Sequence, residues 1–280
     1  MTSRVVGALL LAACGLASPE RGRVVSEGVA VAEFETRWNQ TDIIKVHVYF
    51  PSNADGAMTP GAHPAVVYIH GGLVPPERYF WFGAELARRG WVVAFPEHPL
   101  DLAFFSIDTG RAVQSLLTKP PARSLLENAV DSSRLVAMGH SLGGVVATKL
   151  ALGRGFRSVV LHASVADAAD DAALSSATLP SLFLVGTNNC GVTREGYLKG
   201  WQVFPSPTAL VFIEGLTHYG FTDALTEDLK KNCLNGIGLE EGHQQIVELT
   251  LPFLELTTSD AVIDLRSALP TRPSFEAMFR

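Results

Sequence analysis

Val136-Ala137-Met138-Gly139-His140-Ser141-Leu142-Gly143-Gly144 is the stretch whose reading decides the fold. It holds G-x-S-x-G between an apolar run, Arg134 to Met138, and a helical pattern, Leu142 to Leu152, that stops near Gly153. A serine at such a strand–turn–helix junction sits on a sharp, strained turn that lifts its Oγ above the sheet. Side chains two positions to either side would collide with the neighbouring strand and helix, and Gly139 and Gly143 remove them. A helix starting at Leu142 turns its N-terminus towards developing negative charge, and the Leu142 N–H can donate to an oxyanion. Ser141 is therefore the candidate nucleophile.

Upstream of this turn, Gly28 to Phe50 alternates in period two and reads as strands. Pro51 to His63 carries turn residues, and Ala65 to Ile69 is a short apolar strand ending in His70-Gly71-Gly72-Leu73. Glycine there lets a backbone N–H approach a reacting oxygen; Gly72 is the candidate second oxyanion donor, with Leu73 as the alternative. His70 reads as a brace for that loop. Glu77 to Arg89 is amphipathic and stops at Gly90; Trp91 to Phe95 is a buried strand. Pro75 to Phe82 is an aromatic cluster that reads mainly as core, with part available to line a pocket. Helical stretches are expected over Ile107 to Leu117 and Ser124 to Val130.

Downstream, Ser158 to Leu161, Leu182 to Val185 and Ala209 to Ile213 are further short apolar strands, and Glu241 to Leu256 is a long helix. Short apolar strands alternating with amphipathic helices imply a parallel sheet covered on both faces. His218 lies in a loop directly after the last of these strands, where it can accept the serine proton. His47, His63 and His243 sit in a strand, a loop and a helix, while His98 and His162 fall at strand ends.

The third member of a triad is where the pattern departs. The run Leu182 to Val185 ends in Gly186-Thr187-Asn188-Asn189, and Asn189 stands where an aspartate is expected. An Asn carbonyl can accept the imidazole Nδ1–H but supplies no charge. Three readings stay open: Asn189 is a weak orienting group, a carboxylate among Asp167, Glu195 and Asp223 substitutes, or activity is largely lost.

Composition narrows the remaining classes. The chain has 280 residues, of which 47% are hydrophobic and 18% charged, enough for one large core. A formal net charge of −6 without a basic run leaves no electrostatic footprint for nucleic acid. There is no G-x-G-x-x-G and no H-E-x-x-H, so no dinucleotide or metal motif, and the expected chemistry requires no cofactor. The N-terminus pairs Arg4 with an apolar run, Val5 to Ala13, too short to span a bilayer. It ends in Leu11-Ala12-Ala13-Cys14, which resembles a bacterial lipobox. The expectation is export, with residues 1–20 a signal cleaved before a lipidated, membrane-attached Cys14. An ordinary secretory signal or a chance apolar start are the alternatives. In an oxidising compartment Cys190 and Cys233 are expected to bridge, against two buried free thiols as the alternative.

The residues from about Val46 to Leu256 resemble the cap-less α/β-hydrolases of the dienelactone hydrolase, bacterial cutinase and platelet-activating-factor acetylhydrolase group. The resemblance rests on Pro64 to Gly72, Arg89 to Val93, Gly139 to Gly144, Leu179 to Gly186 and Glu214 to His218. It implies a three-layer fold with a mostly parallel eight-stranded sheet and no separate cap. It also implies hydrolysis of a small-molecule, lipid or polyester ester through an acyl-enzyme, with Ser141 as nucleophile, His218 as base and Gly72 and Leu142 as oxyanion hole. Dienelactone hydrolases proper use Cys as nucleophile, and Ser141 argues against that chemistry. The expected layout is a hydrolase domain over 28–257 and a tail over 258–280. The competing reading is a catalytically impaired envelope protein that uses the fold to bind a ligand or partner.

Overall fold

A computed structural model describes residues 19–98, 107–153, 155–223 and 236–280. The strands are β1 (Arg23–Ser26), β2 (Val29–Arg37), β3 (Ile43–Pro51), β4 (His63–Ile69), β5 (Val92–Pro96), β6 (Val130–His140), β7 (Ser158–His162), β8 (Ser181–Asn188), β9 (Thr208–Thr217) and β10 (Phe275–Phe279). They form one sheet in the order β1-β2-β3-β5-β4-β6-β7-β8-β9-β10. From β5 to β9 neighbouring strands are parallel; the pairs at both edges are antiparallel.

Helices cover both faces: α1 (Phe80–Ala87), α2 (Ile107–Thr118), α3 (Leu142–Ala151), α4 (Asp171–Ser176), α5 (Arg194–Gln202), α6 (Leu239–Thr258) and α7 (Leu265–Ala268). The period-two rule divides each central strand between them. Ala65, Val67 and Ile69 pack with Val113, Leu116, Val146, Leu150 and Trp201 of α2, α3 and α5. Val66 and Tyr68, their alternates, pack with Phe82, Leu86, Ile246, Leu249 and Phe253 of α1 and α6. Both faces of the inner strands are thus buried, which is why they read as unbroken apolar runs rather than as alternation.

Three expectations are corrected. The sheet has ten strands rather than eight, because β1 and β10 extend its two edges. Residues 258–280 are not a tail outside the domain. They hold α7 and β10, and β10 pairs with β9 from Phe275↔Ile213 to Phe279↔Ala209. Phe275 is buried, but the rest of β10 is exposed or half-buried, so an edge strand of this kind leaves no alternation to read. Residues 124–129 form turns, not a helix. Arg123 and Asn128 adopt φ of 64° and 61°, and Ser124 Oγ donates to the Pro121 carbonyl at 2.7 Å, which together interrupt any helical run.

The parallel strands matter for chemistry because their C-terminal ends gather at one edge. β4, β6, β8 and β9 deliver there, in turn, the His70-Gly71-Gly72 loop, Ser141, Asn189 and His218. No helix among the described residues is long and apolar enough to cross a membrane. Residues 1–18, with the expected signal and Cys14, lie outside the described residues, as does Cys233.

Candidate active site

The turn at Ser141 has φ 54° and ψ −124°, a conformation that a non-glycine residue occupies only under constraint. The constraint is visible on both sides. A Cβ on Gly139 would drive into the Gly143 carbonyl, and one on Gly143 would drive into the carbonyls of Ile69 and His70 on the neighbouring strand. Helix α3 and strand β4 therefore approach the turn as closely as backbone allows. The Ser141 N–H donates to the His162 carbonyl at 2.9 Å, and its own carbonyl accepts from Ser164 Oγ at 2.6 Å and from Gly144 N–H at 3.0 Å.

Ser141 is the N-cap residue of α3, yet its side chain makes no cap bond. A capping hydroxyl contributes about 1 kcal/mol to a helix. Here the hydroxyl turns instead towards His218, whose Nε2 lies 3.0 Å from Ser141 Oγ. His218 opens a 3-10 turn, His218–Phe221, directly after β9. It is 8% exposed, and burial pushes its imidazole down to about 4 from the usual 6.5. A neutral imidazole beside a serine hydroxyl can take up its proton.

The other face of His218 is different. Its Nδ1 is buried, and among the described residues it has no hydrogen-bond partner. Asn189 is close by: the Asn188↔Thr217 pairing of β8 with β9 sets the two following residues side by side. A Cβ on Gly191 would lie 3.1 Å from His218 Nδ1 and 3.4 Å from Asn189 Oδ1, so Gly191 sits between them. Asn189 Oδ1 is already engaged, accepting from the N–H groups of Gly191 at 2.8 Å and Val192 at 3.3 Å. Its side chain closes its own loop and makes no bond to His218.

The three carboxylates named as substitutes are also engaged elsewhere. Asp167 accepts from Ala169 N–H at 3.1 Å and pairs with Lys149 at 3.0 Å. Glu195 pairs with Lys199 at 2.9 Å, one helical turn along α5. Asp223 pairs with Arg78 at 3.3 Å. None of them meets the imidazole.

The two candidate oxyanion donors lie together. A Cβ on Gly72 would come 2.6 Å from Leu142 Cδ1. Leu73, the next residue, is held at φ 59° and is 77% exposed. His70 braces the loop as expected, its Nδ1–H donating to the Gly71 carbonyl at 3.0 Å, and its ring packs 4.2 Å from that of His98. His98 and His162 are buried in the scaffold: His98 Nδ1 bonds Thr109 Oγ1 at 2.8 Å and His162 Nδ1 bonds Tyr68 OH at 3.1 Å.

The matched family model is described as the alpha/beta hydrolase family and covers residues 65–226. The chain belongs to the alpha/beta hydrolase family. It is also 31% identical over 107 residues to bis(hydroxyethyl) terephthalate hydrolase of Streptomyces coelicolor. That alignment covers 35% of this chain and 30% of the relative, so the chain spans under a third of that protein's length. The matched span includes Ser141, Asn189 and His218.

Sequence reading left several contributors to this site unassigned. Tyr79 and His140 are buried between the loops, and Trp81 stacks on His243 at 3.5 Å with an interplanar angle of 5°. Trp81 Nε1–H donates to the Phe221 carbonyl at 3.2 Å, and His243 Nε2–H to the Thr222 carbonyl at 2.9 Å, so the pair holds the end of the turn that His218 begins. Pro75 to Phe82 and the variable position of G-x-S-x-G were the available signals. Away from the site, His47, Glu77 and Glu97 bring ligand atoms within 4.8 Å of one another. His47 Nε2 bonds Glu97 directly, at 2.7 Å. Cys190, one residue beyond Asn189, is disulfide-bonded.

Proposed function

We propose that the protein is a serine hydrolase that cleaves a carboxylic ester through an acyl-enzyme. The observation that carries this reading is the 3.0 Å approach of His218 Nε2 to Ser141 Oγ at a strained strand-to-helix turn. Ser141 gives its proton to His218 Nε2 as Oγ attacks the ester carbonyl. The N–H groups of Gly72 and Leu142 receive the oxyanion, at the N-terminus of α3, where the helix dipole favours negative charge. Collapse expels the alcohol, which takes its proton from His218. Water, activated by the same imidazole, then releases the acid.

An aromatic diester is the substrate class to try first, because the similar Streptomyces protein is named for hydrolysis of bis(hydroxyethyl) terephthalate. Export by a signal ending at Cys14 and a bridge from Cys190 to Cys233 belong to the same proposal. The bridge would tie the Asn189 loop to the segment after His218 and suits an oxidising compartment.

Labelling by a fluorophosphonate probe tests the reading. Wild type is expected to label, Ser141→Ala to lose labelling altogether, and His218→Ala to label far more slowly. Hydrolysis of aryl esters of graded acyl length and of terephthalate diesters then ranks substrates. Among the described residues His218 Nδ1 has no hydrogen-bond partner, which favours a second reading, a ligand-binding protein with a silenced site. A folded wild type that does not label decides for that second reading.

A further inference from the structure

Gly71, Tyr79, His140 and His218 are joined by a chain of hydrogen bonds whose directions follow from chemistry. The His218 carbonyl can only accept, so His140 Nε2, 2.8 Å away, must donate to it. Complete burial holds His140 neutral, well below its ordinary pKa. A neutral ring with its proton on Nε2 leaves Nδ1 as an acceptor, and Tyr79 OH, 2.8 Å away, donates to it. The Tyr79 oxygen in turn accepts from Gly71 N–H at 3.1 Å. Gly71 has no room for a side chain, since a Cβ would lie 2.8 Å from His140 Nδ1 and 3.0 Å from Tyr79 OH.

The chain links the three moving parts of the reaction. Gly71 adjoins Gly72, the candidate oxyanion donor. His140 immediately precedes Ser141. The carbonyl at the far end belongs to His218 itself. No member carries charge, because burial pushes the Tyr79 hydroxyl up as it pushes His140 down. The chain therefore orients groups and does not carry protons to the substrate.

We propose that Tyr79 and His140 are positioning residues that hold the oxyanion loop, the Ser141 turn and the His218 backbone in one register. They do so from the carbonyl of His218, where a triad acid would act on its Nδ1. This rests on the reading of Ser141 and His218 as nucleophile and base. In an ordinary triad the acid both orients the imidazole and stabilises its charged form. Here the first task passes to the backbone of His218, anchored at its own carbonyl by His140 and further along by Trp81 and His243. The second task has no counterpart among the described residues.

The test uses the full chain and three substitutions. Misplacing reacting groups by about 1 Å can cost about a hundredfold in rate, so Tyr79→Phe and His140→Asn should lose roughly tenfold to a hundredfold in kcat while KM changes little. His140→Gln, whose amide nitrogen reaches the position of the ring Nε2, should recover most of the loss. A merely structural role would lower Tm without this split between kcat and KM and without rescue by Gln. Should His140→Asn fail to fold, Tyr79→Phe carries the kinetic test and nitrogen-15 spectra of wild type carry the rest: His140 must show the Nε2–H tautomer. Wild-type kcat in folded Tyr79→Phe, or the opposite tautomer, overturns the proposal while Ser141-dependent labelling still supports the dyad. Absence of labelling in wild type overturns both together.

Discussion

The Ser141 turn and the Asn189 loop stand at the ends of β6 and β8, two strands apart in the same sheet, and they are built on different principles. The Ser141 turn is specified by backbone contact: glycines at 139 and 143 admit carbonyls where any Cβ would clash. The Asn189 loop is specified by one side chain, whose Oδ1 folds back on the N–H groups of Gly191 and Val192. Backbone contact tolerates no substitution without moving a strand or helix. A side-chain function can be withdrawn by a single residue change while the fold stands. That difference explains how one face of the His218 imidazole can be engaged while the other has no partner among the described residues.

Breaking the turn should have the largest effect. Gly143→Ala places a methyl group against the carbonyls of Ile69 and His70 and strains the turn, and a loss of several kcal/mol, above the ~1 kcal/mol typical of point substitutions, is expected in urea unfolding. A loss below that typical value would mean that the close approach of α3 to β4 is not obligatory. Asn189→Asp sharpens the other half. In the serine-protease template, aspartate-to-asparagine at the acid costs about 10⁴ in turnover. The reverse change should therefore raise kcat by at least about tenfold and move the His218 titration upward from about 4, as NMR would follow. No gain in kcat on Asn189→Asp would show that the loop geometry, and not the missing charge, sets the rate.

Acid stability reads the buried imidazoles together. Burial lowers His98 to about 2, His162 to about 3 and His218 to about 4 from 6.5. Between those values and 6.5 the unfolded chain binds more protons than the folded one, so stability is complete above 6.5 and falls as pH falls. Each group contributes about 1.4 kcal/mol per pH unit in that window. Tm should drop steeply below pH 6.5, and a flat Tm would mean that the rings are hydrated. Gly191→Ala should be the mildest change. Its Cβ would lie 3.1 Å from His218 Nδ1, so the ring must shift by a few tenths of an ångström. A several-fold loss of kcat is expected with stability changed by about 1 kcal/mol or less. An unchanged kcat would show slack around Nδ1.

Much of this was legible along the chain. Runs such as Val136 to Met138 and Leu182 to Val185 identify strands buried on both faces, and G-x-S-x-G identifies the turn between β6 and α3. Local signals failed where tertiary contacts override them. Residues 124–129 lose their helix to left-handed residues and a serine bond to Pro121, and β10 becomes a strand only because β9 offers it an edge. Tyr79 and His140 stand 61 residues apart, and no spacing in the sequence announces that they meet.

By itself the sequence determined the sheet's inner strands, the turn at Ser141 and the positions of His218 after β9 and of Asn189 after β8. Each depends on residue type and short-range spacing, and short-range sterics are local. Only the tertiary structure decided that Asp167, Glu195 and Asp223 are engaged elsewhere, that Asn189 turns back on its own loop, and that His140 grips the His218 carbonyl. Those outcomes depend on which hydrogen-bonding groups the folded sheet brings within about 3 Å of one another, and that distance is set by packing across the whole domain.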